Sequence, residues 1–442
     1  MPSPNPYSSV AAAAGVVSFE AARHLVEQHA MGARPAEAAA ETVDLLAGLG
    51  RVLADGIVAD RDFPPFARAT RDGYAVRASD LLEVPARLEL VGEVKAGDAP
   101  RPGVCVVGRG QAVGIMTGAP LPAGADAIVM VEHTSLSGRT VEVRRGVSSG
   151  ENFVPRGAEA GAGQLLLDRG RRLDHAGIAI AASVGKSRLQ VFRKPRVAVL
   201  STGDELVEID ALPGPAQIRN SNSYSLAAQV QNAGGGAVWL PITPDKPQQL
   251  GASIEQGLDS DLLLLTGGVS MGKYDLVEQA LTELNAEFYF TGAEIQPGRP
   301  VVFGSCAADT STCADVLSSA RTQAGVSAPD KRYFFGLPGN PVSTMVTFEL
   351  FVRPMIEALA GMTPQPLIFP RARLKSEIRT KTGLTRFLPA MLSGEFEEAE
   401  VELARWQGSG DIAALARANC YVVVPPNRER VEAGEWVPVL MR

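Results

Sequence analysis

Strand-type and helix-type runs alternate from residue 192 to 365, and short β-type runs broken by glycine and proline turns lie on either side of that stretch. The alternation predicts a doubly wound α/β domain, because strands that alternate with helices join into a parallel sheet covered on both faces. The flanking runs predict β-rich domains before and after it. The fold class is therefore α/β plus β in a multidomain chain. At ~150 residues per domain, 442 residues hold about three domains.

Residues 1–17 read as a flexible tail with no basic residue before the alanines, so the n-region of a secretory signal is missing. No apolar run reaches the ~18–20 residues of a membrane span. Together these predict a cytoplasmic protein. SFEAARHLVEQHA and AAAETVDLLAGLG, within 18–48, read as helices. Between 58 and 157 the runs LELVGEV, CVVGRG, AIVMVEHT and TVEVRR read as strands separated by turns such as KAGDAPRPG and APLPAGAD. Asp174 is placed to cap the helix DHAGIAIAASVG, which Gly185 ends.

From residue 196 the order is strand RVAVL, helix SNSYSLAAQVQNAGGG, strand AVWLPI, helix DKPQQLGASIEQGL, strand DLLLLT and helix DLVEQALTEL. Strands FYFTGAEI, VVFG and YFFGLPG follow, then one long helix, NPVSTMVTFELFVRPMIEAL. Residues 305–332 are polar and rich in small residues, the character of a surface insertion. CYVVVP and WVPVL place strands in the last domain, 366–442.

The chain is 45% hydrophobic and 21% charged, as ordinary globular proteins are. A net charge of −7 argues against general nucleic-acid or acidic-membrane binding. Cys105, Cys306, Cys313 and Cys420 have no C-x-x-C spacing and the four histidines are scattered, so neither a disulfide framework nor a thiolate or imidazole metal site is expected.

Chemistry is expected in three loops that leave strand ends. They are STGDEL (201–206), TGGVSMGKYD (266–275) and GLPGNPVS (336–343). In open α/β sheets ligands bind beyond the carboxyl ends of the strands. Glycines let backbone N–H groups close on phosphate oxygens, and helix N-termini add partial positive charge. Asp204, Glu205 and Asp275 beside a phosphate call for a cation, and oxygen ligands with phosphate favour Mg²⁺. Asp275 equally serves as a helix cap, and Asn340 as the cap before Pro341 at the first turn. Asp72 and Thr117 read as turn residues by themselves.

RDGYAV, MTGAPLPAGAD, GENFVPRG, STGDEL, TGGVSMGKYD, IQPGRPVVFG, GLPGNPVS and QGSG run in order from residue 71 to 410. Together they resemble the molybdopterin molybdenumtransferase family, which includes MoeA and the gephyrin E domain. The resemblance implies four domains: an elongated one (18–57 with 158–191), a β-rich one (58–157), a MogA-like α/β one (192–365) and a β-barrel-like one (366–442). It implies a homodimer whose cleft lies between the α/β domain of one chain and parts of its partner. It also implies a reaction, in which molybdate and adenylylated molybdopterin enter, the metal is placed on the dithiolene, the phosphoanhydride is hydrolysed with Mg²⁺, and AMP leaves. The adenylyltransferase and recipient molybdoenzymes are the further partners implied.

By position the resemblance assigns Asp72, Thr117, Glu159, Glu205, Asp245 and Asp275 to catalysis, with Glu205 and Asp275 at the metal. It assigns Thr202, Gly203, Asp204, Gly267, Gly268, Ser270, Arg299, Pro338, Gly339, Asn340, Pro341, Ser343 and Ser409 to substrate binding. Two family cations are replaced, by Gly292 and Pro389. Arg386, Lys381 and Lys273 are candidate substitutes, since an oxyanion needs charge and donors. Ordinary drift and a changed oxyanion preference, such as tungstate, both account for the replacements. A molybdopterin adenylyltransferase and a catalytically impaired scaffold are the alternative functions.

Overall fold

The structure, a computed structural model, describes residues 15–33, 40–98, 105–268, 276–307, 331–363 and 365–442. Ser270, Lys273, Asp275, most of the expected tail and residues 308–330 of the expected insertion lie outside these segments. Among the described residues no helix is long and apolar enough to cross a membrane.

Helix α1 (Phe19–Gly32) opens on Ser18, whose hydroxyl accepts from the Ala21 N–H. Its Ala22, Val26 and Ala30 form an i, i+4, i+8 stripe buried in the same cluster as Val197, Phe351 and Met355. The helix thus packs on the α/β core, although its sequence position places it with the elongated segment. The second expected helix, AAAETVDLLAGLG, is overturned over its described part. Ala40–Asp44 is a strand paired antiparallel with Arg188–Phe192, followed by a 3₁₀ turn. Thr42 and Val43 are β-branched and suit that pairing.

A six-stranded sheet follows: β1 (Gly73–Val76), β2 (Ala86–Val94), β3 (Gln111–Ile115), β4 (Ala127–Met130), β5 (Thr134–Ser137) and β6 (Thr140–Val143), in the order β4-β1-β3-β2-β6-β5. The run CVVGRG forms no strand. Cys105 has φ +56° and Gly110 φ +72°, and the Val107 N–H goes to the Ala123 carbonyl instead of a ladder. Helix α2 (His175–Ser183) is capped by Asp174, which accepts from the Gly177 N–H at 2.8 Å, and Gly185 follows at φ +74°.

The α/β sheet contains β7 (Arg196–Ser201), β8 (Gly236–Trp239), β9 (Leu262–Thr266), β10 (Glu287–Phe290), β11 (Val302–Ala307) and β12 (Lys331–Leu337), in the order β8-β7-β9-β12-β11-β10. The first four of that order are mutually parallel; β11 alone runs against them, antiparallel to both of its neighbours, so β10 points the same way as the first four. Strand alternation splits the core in two. Val197, Val199, Leu262 and Leu264 face one cluster, and Ala198, Leu200, Leu263 and Leu265 face the other. Helices α3 (Ser221–Asn232), α4 (Pro247–Leu258) and α5 (Leu276–Glu283) cover these faces.

The long helix is α6 (Pro341–Thr347), a π-helical turn (Phe348–Val352) and α7 (Arg353–Leu359). Pro354 has no N–H for the carbonyl of Leu350. That carbonyl accepts instead from Arg23 Nη1 of α1 at 2.6 Å. The interruption and the docking of α1 thus have one cause.

In the last domain β13 (Arg371–Leu374), β14 (Thr385–Ser393), β15 (Glu400–Leu403), β16 (Cys420–Val424) and β17 (Trp436–Met441) close on themselves through β14–β16 pairing. The result is a closed five-stranded barrel.

Candidate active site

The chain passes from β7 to β8 on one side of β7, then crosses to β9 on the other. This reversal opens a crevice at the carboxyl ends of β7 and β9, where doubly wound sheets bind ligands. A cavity of about 660 Å³ lies there, walled by Thr202 and Glu205 after β7, Gly267 and Gly268 after β9, and Pro338, Gly339, Asn340 and Pro341 after β12.

The two glycines after β9 are sterically required. Gly267 has φ +91°, and a Cβ there would stand 2.1 Å from the Thr202 carbonyl oxygen. A Cβ on Gly268, at φ +65°, would meet Val277 at 2.9 Å. At Gly203 (φ +150°) the Glu205 carboxylate folds back so closely that a Cβ would lie 2.6 Å from its Oε2. Gly339 faces the Gly267 Cα.

Polar groups hold the walls. Thr202 Oγ1 donates to Asp245 Oδ1 at 2.6 Å, and the Asp245 N–H donates to Asp204 Oδ1 at 3.2 Å. Asp204 and Asp245 therefore brace the first loop without lining the cavity. Ser343 is buried, and its carbonyl accepts from Thr347 Oγ1 at 2.9 Å. The Ser409 carbonyl accepts from the Val342 N–H at 3.0 Å, which brings Gly410 and Ile412 of the last domain into the cavity wall. Asn340 precedes Pro341 at N1, but its side chain makes no cap bond. Arg299 is exposed and is not a lining residue; its neighbour Pro300 is.

Four polar lining residues escaped the motif reading: Arg219, Asn220, Ser221 and Asn222. The run R-N-S-N-S at a helix start was their only sequence signal. Asn220 is buried, and its Oδ1 accepts from the Ser223 N–H at 3.2 Å. Asn222 Nδ2 donates to Thr266 Oγ1 at 3.1 Å and to the Gly339 carbonyl at 2.8 Å. A carbonyl only accepts, so this contact sets the amide's orientation and leaves buried Oδ1 without a partner.

Asp72, Thr117 and Glu159 lie outside this cavity. Asp72 Oδ1 accepts from both the N–H and the hydroxyl of Thr117, at 2.6 and 2.8 Å. These donors, the N–H first, lower the Asp72 pKa below the usual aspartate range. Two apparent turn residues thus form one unit, beside a cleft of about 490 Å³ lined by Tyr74, Ile115 and Met116. Glu159 pairs with Arg68 at 3.2 Å, with both side chains exposed.

The candidate cation substitutes are placed elsewhere. Arg386 Nη2 donates to the Lys381 carbonyl at 2.9 Å, its Nε is buried without a partner, and neither residue lines the cavity. Burial lowers the Arg386 pKa. Gly292 pairs with Val16, and a Cβ there would lie 2.9 Å from Val16 Cγ2, so a side chain at this position requires Val16 to shift.

Among the described residues no three His, Cys, Asp or Glu side chains cluster to hold a metal. The Glu205 carboxylate has no hydrogen-bond or ion-pair partner among them and lines the cavity. That fits Mg²⁺, which keeps several waters and takes one or two carboxylates plus phosphate.

Residues 17–185 match the MoeA N-terminal region (domains I and II), 198–358 a probable molybdopterin-binding domain, and 371–441 the MoeA C-terminal region (domain IV). A molybdopterin molybdenumtransferase of Nostoc sp. is 34% identical, covering 90% of this chain and 88% of its own length. One from Bacillus subtilis is 32% identical, covering 91% and 89%. Two crystal structures of the molybdopterin biosynthesis MoeA protein from Pyrococcus horikoshii superpose with TM-scores of 0.73 and 0.66. They are 27% and 31% identical, and cover 97% and 96% of this chain and 100% and 99% of their own. The chain belongs to the MoeA family.

Proposed function

We propose that the chain is a molybdopterin molybdenumtransferase of molybdenum cofactor biosynthesis, taking adenylylated molybdopterin and molybdate and releasing AMP. The observation that carries this reading is the convergence of three backbone loops, two of them held close by glycines, at the switch point of the sheet. Such a site suits a ligand rich in phosphate oxygens. The relatives' names support molybdenum transfer to molybdopterin, and the adenylylated substrate, molybdate and AMP release are part of the proposal.

In this reading Thr202, Gly203, Gly267, Gly268, Ser270, Pro338, Gly339, Asn340 and Ser343 shape the substrate cradle. Asp204 and Asp245 keep the first loop in place. Glu205 and Asp275 hold Mg²⁺, which neutralises charge on the phosphate oxygens. Ser409 and Arg299 serve the oxyanion. Asp72, Thr117 and Glu159 reach a cleft in a homodimer, brought by one copy to the cavity of the other. The division into elongated, β-rich, α/β and barrel domains, with boundaries at 57, 157, 191 and 365, belongs to the same proposal.

The test is AMP release from adenylylated molybdopterin with Mg²⁺, with and without molybdate. Molybdate-stimulated release is expected. ATP consumption with free molybdopterin would point to the adenylyltransferase instead. Partner binding with no AMP release under any condition would point to the scaffold.

A further inference from the structure

Among the described residues lining the cavity, Arg219 is the sole cation and Glu205 the sole carboxylate. Arg219 is exposed, and nothing in the motifs singles it out. Its surroundings nevertheless hold it at the cavity. Val207 and Arg219 are partners in a short parallel pairing of Leu206–Val207 with Ile218–Arg219. The Ile218 N–H donates to the Glu205 carbonyl at 2.8 Å, so the strand that carries Arg219 is tied to the loop that carries Glu205. The next residue, Asn220, is buried, and its N–H donates to the Val207 carbonyl at 2.9 Å. Arg219 Nε donates to the Ala211 carbonyl at 3.1 Å, which anchors the guanidinium through one nitrogen. Both Nη groups lack a carboxylate partner among the described residues. A guanidinium held by its Nε presents its Nη fork, the donor geometry that matches two oxygens of one phosphoryl group.

We infer that Arg219 is a substrate-binding residue whose Nη groups take a phosphoryl oxyanion of the adenylylated substrate, opposite the backbone N–H groups of the glycine loops. This rests on the function proposed above. The shared chemistry is a tetrahedral oxyanion, which both the phosphoanhydride and molybdate offer. Arg219 is assigned to the phosphoanhydride because it stands beside the loops shaped for phosphate.

The experiment uses the full-length protein and its Arg219→Ala, Arg219→Lys and Arg219→Gln variants. It reads KM for adenylylated molybdopterin, the half-saturating molybdate concentration, and AMP affinity by calorimetry. Loss of a charge-assisted phosphate contact is expected to raise KM about 10–100-fold in Arg219→Ala and weaken AMP by a similar factor. Arg219→Lys should recover part of both, and the wild-type advantage should shrink with added salt. Half-saturating molybdate should stay constant. An unchanged KM and AMP affinity in a folded Arg219→Ala or Arg219→Gln protein overturns the inference, as does a shift confined to molybdate. If the wild-type protein releases no AMP, the functional reading fails while the AMP titration still decides whether Arg219 binds phosphate.

Discussion

The side-chain amide of Asn222, at the start of α3, donates to the Gly339 carbonyl at 2.8 Å and to Thr266 Oγ1 at 3.1 Å. One residue thus ties the α3 N-terminus to the loops after β9 and β12. Asn222→Ala removes both bonds and is expected to cost ~1–2 kcal/mol of stability. A roughly tenfold fall in kcat/KM for AMP release should accompany it as the loops separate. Asn222→Asp should be worse, because a carboxylate would face the Gly339 carbonyl. Denaturant titration with steady-state kinetics checks both, and an Asp variant as active as wild type would refute the clamp.

Gly267 and Gly339 make a contrasting pair. A Cβ at Gly267 would stand 2.1 Å from the Thr202 carbonyl oxygen at φ +91°, whereas at Gly339 its nearest neighbour is 3.7 Å away. Gly267→Ala is therefore expected to lose more than ~1 kcal/mol and most substrate binding, and Gly339→Ala to be tolerated. Equal effects in chemical denaturation and in KM would contradict the steric account.

Thr117 holds the Asp72 carboxyl below its ordinary range, first through its N–H and then through its hydroxyl. A depressed folded-state pKa contributes stability that is present above the unfolded value and lost as pH falls through the folded one. The contribution therefore persists at neutral pH and disappears in the acid range below about 4. Thr117→Val keeps the N–H and removes the hydroxyl, so the Asp72 pKa should rise part of the way back. Carboxyl-detected NMR titration measures this directly, and an unmoved pKa would rule out the hydroxyl's share.

Arg23 fills a gap that Pro354 creates in the long helix. In Arg23→Met the Leu350 carbonyl is left buried without a donor, at a cost of about 1–3 kcal/mol. Unfolding in urea should show that loss, and no loss would mean that water reaches the carbonyl.

Glu205→Gln keeps the side chain's size and removes its charge. If Glu205 serves Mg²⁺, the variant should need about tenfold more Mg²⁺ for half-maximal AMP release. An unchanged Mg²⁺ titration would place the metal elsewhere.

The parts legible in the sequence were those written in local pattern. The alternation around Leu262–Leu265, the Asp174 cap and the glycine loops each occupy a short run whose chemistry needs no distant partner. What stayed hidden depends on pairing across the chain. Asp72 and Thr117 read as separate turns because they stand 45 positions apart in the chain. Ala40–Asp44 read as helix because its partner strand begins at Arg188. Arg219 carries no motif, and only the short pairing with Val207 brings it to the cavity. The one reversed strand of the α/β sheet, β11, likewise follows from tertiary pairing, since β-type runs look alike in either direction.

The hairpin of β11 and β12 has one more consequence. Its last partners, Ala307 and Lys331, mark the end of the ladder away from Leu337, which sits beside Thr266 at the ligand end. The 7 residues of β12, at about 3.3 Å each, separate the two ends by ~20 Å. Residues 307 and 331 therefore stand on the rim of the sheet opposite the ligand end. Loop-closure entropy grows only with the logarithm of length, so a change in the number of residues that connect 307 to 331 carries a small closure cost. The architecture thus sets the two points of attachment apart from the chemistry by the length of a strand.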